Sequence, residues 1–150
     1  WSFNLRTEFK DEADGVNGWS KRRVAVADFI GKRRPALICV QEATEPMLRF
    51  LVDCLGLQEY AWVGTSRTPD QMDETAGFIY DLRRLSLQEH HACWYGPPNA
   101  TPGVAYWDAA FPRTCEDATF HILNVADTRC KLRVLNTHLD HVGVEARRRS

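Results

Sequence analysis

A late stretch, Asn136-Thr137-His138-Leu139-Asp140-His141, gathers an amide, a carboxylate and two imidazoles. Imidazole ionises nearest neutral pH, so it can hold a proton, release one, or donate to an anionic oxygen. A carboxylate on one ring nitrogen fixes the tautomer and favours the imidazolium, which can then bind a phosphoryl oxygen. Two earlier acids are placed to join His138. Glu42 follows the apolar run Ala36-Leu37-Ile38-Cys39-Val40 and Gln41, and Glu74 precedes Gly77-Phe78-Ile79-Tyr80. At a strand end Glu42 is either a surface or capping acid, or an oxygen ligand. A hard cation such as Mg²⁺ takes oxygen ligands at about 2.0–2.1 Å, commonly one or two carboxylates plus substrate phosphate. Asn4, on what reads as the neighbouring strand, can add an amide oxygen. Glu74 is a loop acid or the partner of His138, which depends on folding. Arg113 closes a proline-rich loop, as a solvated charge or as a guanidinium gripping phosphate through two parallel hydrogen bonds.

Other chemistries lack a seat. The sequence has no G-x-S-x-G elbow, P-loop, G-x-G-x-x-G or H-E-x-x-H. Lys plus Arg number 19 against 20 Asp plus Glu, so no global basic field announces a nucleic-acid binder and a phosphate must be held locally. The five cysteines are widely spaced without a C-x-x-C, which argues against a zinc ribbon or a disulfide framework. A zinc centre on His138 and His141 lacks a clear third ligand. His90, His91 and His121 lie in strand-like stretches and read as structural. No apolar run approaches the ~20 residues that span a bilayer. The compartment stays open.

The elements that must position these side chains follow from hydrophobic patterning. Trp1 to Arg6 reads as a strand and residues 7–18 as a loop. Ser20 caps a helix to about Lys32, with Trp19, Arg23, Val26, Ala27 and Ile30 on one face. The run 36–40 is a strand buried on both faces. Thr44 caps a second helix, with Pro46 in its first turn and Gly56 closing it. Strands follow at 60–67, 77–81 and 84–94, then a loop over 95–112. A hairpin joins 118–126 to 131–139 across Asp127-Thr128-Arg129, and a last helix starts near Gly143. The pattern predicts an α/β (α+β) fold: one mixed sheet with helices on one face. Its other face has nothing left in the chain to cover it.

These residues resemble the endonuclease/exonuclease/phosphatase superfamily, with its deoxyribonuclease-I-like fold, over essentially the whole chain. The resemblance rests on Asn4-Leu5-Arg6, Gln41-Glu42, and Glu74 ahead of Phe78-Ile79-Tyr80. It continues through Trp107-Asp108-Ala109 with Pro112-Arg113, and ends in Asn136-Thr137-His138-Leu139-Asp140-His141 with Gly143 and Ala146-Arg147. It implies a Mg²⁺- or Mn²⁺-dependent phosphoesterase, built as a four-layer α/β/β/α sandwich with the second sheet absent from this chain. It places Asn4 and Glu42 on the metal side, Glu74 behind His138, and His138 with Arg113 on the scissile phosphate. Asn136 and Asp140 are expected near the phosphate too, with the finer roles of Asp140 and His141 open. The partner would be a phosphate ester: nucleic acid, nucleotide, or a phospholipid or inositol headgroup. The superfamily's later Gly-Asp-Phe-Asn and Ser-Asp-His are not in these 150 residues. The expectation is therefore the N-terminal part of one domain, truncated at both ends and inactive alone. The alternative is a non-catalytic, degenerate fold that binds a partner through its uncovered sheet.

Overall fold

Strand β2 (Leu37–Ala43) carries the apolar run and sits inside the first sheet. Strand β1 (Ser2–Asn4) pairs with it in parallel, setting Asn4 opposite Gln41, and β4 (Thr75–Asp81) pairs on its other side antiparallel. With β3 (Tyr60–Ser66) beside β4, the order is β1-β2-β4-β3. The computed structural model describes residues 1–127 and 129–150. Thr128, in the expected hairpin turn, lies outside the described residues.

Helices α2 (Trp19–Arg33) and α3 (Glu45–Leu55) pack on one face of this sheet, burying Leu5, Ile30, Ile38, Val40, Leu48 and Leu51 in a common core. Thr44 caps α3 by accepting from the Met47 amide, and Gly56 ends it at φ +100°, a conformation glycine adopts without steric cost. The start of α2 differs from expectation. Its N-cap is Gly18, and the carboxylate of Asp11 accepts the Ser20 amide at 3.1 and 3.2 Å. Residues 7–18, read as a loop, hold short helical turns that include α1 (Asp11–Asp14) and so bring Asp11 within reach.

The largest correction concerns layers. Strands β5 (Leu85–Trp94), β6 (Thr114–Ile122) and β7 (Lys131–Thr137) do not extend the first sheet but form a second, antiparallel one, ordered β5-β6-β7. The expected bare face is therefore covered from within the chain. Phe78 and Tyr80 meet Leu85, Ala118 and Phe120, with the Phe120 ring 5.9 Å from Phe78 and 5.1 Å from Tyr80. The switch between sheets is a tight turn, in which Asp81 accepts the Arg83 and Arg84 amides through its side chain and carbonyl. Alternation reveals a strand's faces, not the sheet that it joins. Strand β6 also runs from Thr114 rather than Ala118, bringing its start beside Arg113. Among the described residues no helix is long and apolar enough to cross a membrane.

Candidate active site

At the end of β2 the pairing register shifts between Val40 and Ala43, and Glu42 adopts φ +54°. A non-glycine residue in the left-handed region costs of order 1–3 kcal/mol and persists where surrounding contacts demand it. Here the twist turns the carboxylate out of the ladder. Oε1 accepts from Asn4 Nδ2 at 2.8 Å, and Oε2 accepts weakly from the Thr7 amide at 3.4 Å. The oxygen of Asn4 accepts the Arg6 amide at 2.9 Å. Asn4 thus steadies Glu42, and its own oxygen is engaged by the backbone.

His138 follows the end of β7, across the gap from β2. Its Nε2 lies 3.8 Å from Glu42 Oε1, and its Nδ1 lies 3.2 Å from Nη1 of Arg113. Guanidinium can only donate, so Nδ1 accepts and the ring proton sits on Nε2, facing Glu42. Burial, then the charge of Arg113, holds the imidazole pKa below its ordinary value, with Glu42 pulling weakly the other way. The donor from Arg113 on Nδ1 and the downward shift both favour the neutral ring over the expected imidazolium. The expected Glu74–His138 contact is also replaced. Glu74 accepts from Arg67 Nη1 at 2.9 Å, and Arg67 Nη2 meets Asp73 at 2.8 Å. Burial pushes the Glu74 carboxyl up, with Arg67 opposing.

Arg113 is buried and uses all three nitrogens on the chain itself. Nε donates to Asp140 Oδ2 at 3.1 Å, while Nη1 and Nη2 donate to the Nδ1 atoms of His138 and His141, each at 3.2 Å. Asp140 accepts further bonds from the amides of Ala110, Val142 and Gly143. Its buried, saturated carboxylate orients Arg113 and does not face the pocket, which corrects its expected place at the phosphate. Asn136 is corrected too. It is 4% exposed; its Nδ2 donates to the Val40 and Gly77 carbonyls at 2.9 and 2.8 Å, and its Oδ1 accepts from Gln41 at 2.7 Å. That amide ties the two sheets together beneath Glu42.

The remaining four, Glu42, Glu74, Arg113 and His138, share one cavity of about 570 Å³ with Arg67. Sequence reasoning missed Arg67, which also lies 4.6 Å over the Phe111 ring. It closes a strand like any surface arginine, and only the fold reveals its partners. Asp108 was noted without a role. It accepts the Glu145 and Ala146 amides and so caps α4 (Val144–Arg149), holding the chain after His141 against the 95–112 loop.

The donor set suits a hard divalent ion. Two carboxylates share the cavity, and such an ion completes its shell with water and substrate phosphate. Among the described residues no group of three or more His, Cys, Asp or Glu could hold a metal, so protein side chains alone do not close a coordination sphere.

Paired sheets, an outer helix layer, and acid, imidazole and guanidinium at one strand-end cavity define a partial endonuclease/exonuclease/phosphatase-like fold. No protein-family model matches the chain, and no curated protein does. Solved structures do. An endonuclease/exonuclease/phosphatase from Bacteroides vulgatus is 27% identical with a TM-score of 0.86, the match covering 99% of this chain and 54% of that one. A mannosyl-6-phosphatase from Bacteroides thetaiotaomicron is 27% identical with a TM-score of 0.80, covering 97% and 52%. ANGEL2, a 2',3'-cyclic phosphatase in complex with adenosine-2',3'-vanadate, shares the fold at 18% identity and a TM-score of 0.67, covering 92% and 40%. The chain is thus related to phosphoesterases of that superfamily and spans about half the length of the structures it matches.

Proposed function

We propose that these 150 residues are the N-terminal part of a single-domain, Mg²⁺- or Mn²⁺-dependent phosphoesterase, which hydrolyses a phosphate ester by in-line attack of water. The observation that carries this reading is the convergence of Glu42, Glu74, Arg113 and His138, from four separate segments, on one cavity. Glu42 would hold the ion with Asn4 behind it, and the ion would neutralise charge on the phosphoryl oxygens. His138 Nε2–H donates to a phosphoryl oxygen as charge builds there. Arg113 keeps that proton on Nε2 by donating to Nδ1, and adds positive potential without leaving its buried seat. Glu74, neutralised by Arg67, lines the cavity floor and adds little repulsion toward an incoming anion.

The test is a panel of phosphodiesters and phosphomonoesters with Mg²⁺, on the intact parent protein and its His138→Ala and Glu42→Ala variants. Loss of a donor aimed at developing charge typically lowers turnover about 10²–10³-fold. Each variant is expected to lose at least that much while keeping its circular dichroism spectrum. Undiminished turnover in both overturns the reading.

A further inference from the structure

Strands β5 and β6 set Cys93 directly opposite Cys115. Residues paired in this way lie side by side on one face of the sheet. Next to them, the Tyr95 amide donates to the Arg113 carbonyl at 2.9 Å. Hydrogen-bonded and open pairs alternate along an antiparallel ladder. Positions 93 and 115, two places on, therefore form another hydrogen-bonded pair, with Cα atoms about 5.5 Å apart. Disulfides span Cα separations of about 4.4–6.8 Å. The Cys93 Sγ reaches across to the Cys115 carbonyl oxygen at 3.8 Å. Cys93 is exposed, Cys115 is half-buried, and both are free thiols. Among the described residues these are the cysteines that a strand ladder places opposite each other. Cys39 lies opposite Ser2 and Phe78, and Cys54 is on α3.

The same strands join this pair to the cavity. Cys115 stands two residues after Arg113 and opposite Thr137, the residue before His138. The Thr137 hydroxyl donates to the Thr114 carbonyl at 2.8 Å, and the Tyr95 side chain hydrogen-bonds with both Cys115 and Thr137. Cβ atoms of opposed residues lie about 4.5–5.5 Å apart, against about 3.5–4.5 Å in a disulfide. Closing the bond therefore draws the two strands together. The strain falls on the rung that carries Arg113 and on the row that leads to His138, and it makes the bond easier to reduce.

We propose that Cys93 and Cys115 are a redox modification site: a reversible disulfide forms between them and shifts the Arg113–His138 contact. The oxidant is a small-molecule disulfide of the glutathione type. The exposed Cys93, as thiolate, attacks one of its sulfurs and releases one glutathione thiolate. The Cys115 thiolate then attacks the Cys93 sulfur and releases the second. Both cysteine sulfurs are oxidised, and the glutathione disulfide is reduced to two thiols that take up the two cysteine protons. The inference goes beyond the phosphoesterase reading and does not rest on it.

The test treats the intact parent protein with oxidised glutathione. Trypsin cuts after Arg84, Arg113 and Arg129, so Cys93 and Cys115 fall on different peptides that only the bond joins. Mass spectrometry should find these peptides linked after oxidation and separate again after dithiothreitol. Cys115→Ser should instead leave a glutathione adduct on Cys93, because the second attack is lost. In the unsubstituted protein, an adduct on Cys93 without linked peptides overturns the site, as does a Cys93 that stays unmodified. The ring resonances of His138, followed by NMR, should move on oxidation, return on reduction, and stay fixed in Cys93→Ser. Linked peptides with unmoved His138 resonances overturn the effect on the contact. None of these readouts needs turnover, so an inactive parent would count against the phosphoesterase reading alone.

Discussion

At the scale of single residues the site is governed by which lone pairs are already taken. Asp140 shows this most plainly. Burial alone would raise its pKa, but the amides of Gly143, Val142 and Ala110, together with Arg113, hold the carboxylate well below the usual range. The unfolded chain binds that proton near pH 4, above the folded value. The stabilisation is therefore complete above pH ~4 and is lost as pH falls below it. Urea denaturation should show Asp140→Asn less stable than the parent sequence by about 2 kcal/mol at pH 7. The gap should narrow steadily below pH ~4. A gap that does not change with pH would mean that Asp140 is not the anchor described.

Residue types made Glu42, Glu74, Arg113 and His138 candidates beside ordinary surface readings, and the order of short motifs that resembles the superfamily joined them into one site. Their pairing was not legible. Glu74 went to Arg67 and His138 to Arg113, since partners seven and twenty-five positions away in sequence are chosen by backbone path, not by spacing. The resemblance put Asn136 and Asp140 near the phosphate, whereas both are buried with their hydrogen bonds already used.

At the scale of elements, close strand approach matters as much as hydrophobic pattern. Gly64 and Gly77 face each other across β3 and β4. A Cβ on Gly77 would stand 2.7 Å from the Val63 carbonyl oxygen and 3.1 Å from the Gly64 Cα. Both are backbone atoms, so the ladder itself must move. The Gly77 carbonyl also accepts from Asn136, and that movement would disturb the floor under Glu42. Gly77→Ala should cost about 1–3 kcal/mol, as overpacking does. Gly31→Ala, inside α2 with only the Leu55 methyl 3.7 Å away, should instead stabilise by about 0.5–1 kcal/mol through helix propensity. Thermal unfolding of the two variants separates the cases; shifts of the same sign would refute the account. Helix α3 and its caps were legible because capping and periodicity are local. The start of α2 was not, because its amide partner comes from Asp11, outside the helix.

At the scale of the whole molecule, the two sheets are joined by an apolar interface around Phe78, Tyr80 and Phe120, and by buried polar links that include Asn136 and the bond from the Thr65 backbone to Glu116. Removing Asn136 takes a buried donor from the Val40 and Gly77 carbonyls and leaves the Gln41 amide only its longer contacts to Ser2 and Cys39. Asn136→Ala should therefore destabilise the chain by about 2–4 kcal/mol in chemical denaturation. A loss below 1 kcal/mol would show that the Asn136 bridge adds little to the hold between the sheets.

The sequence by itself determined the α/β class, the two long helices and most strands, and offered the acids, imidazole and guanidinium that line the cavity. All of these follow from side-chain chemistry and from periodicities that need only a few neighbouring residues to express. Tertiary structure alone decided that the later strands form a second sheet and that Arg67 pairs with Glu74. Those outcomes depend on which distant surfaces fill each other's volume, and no short window of residues carries that information.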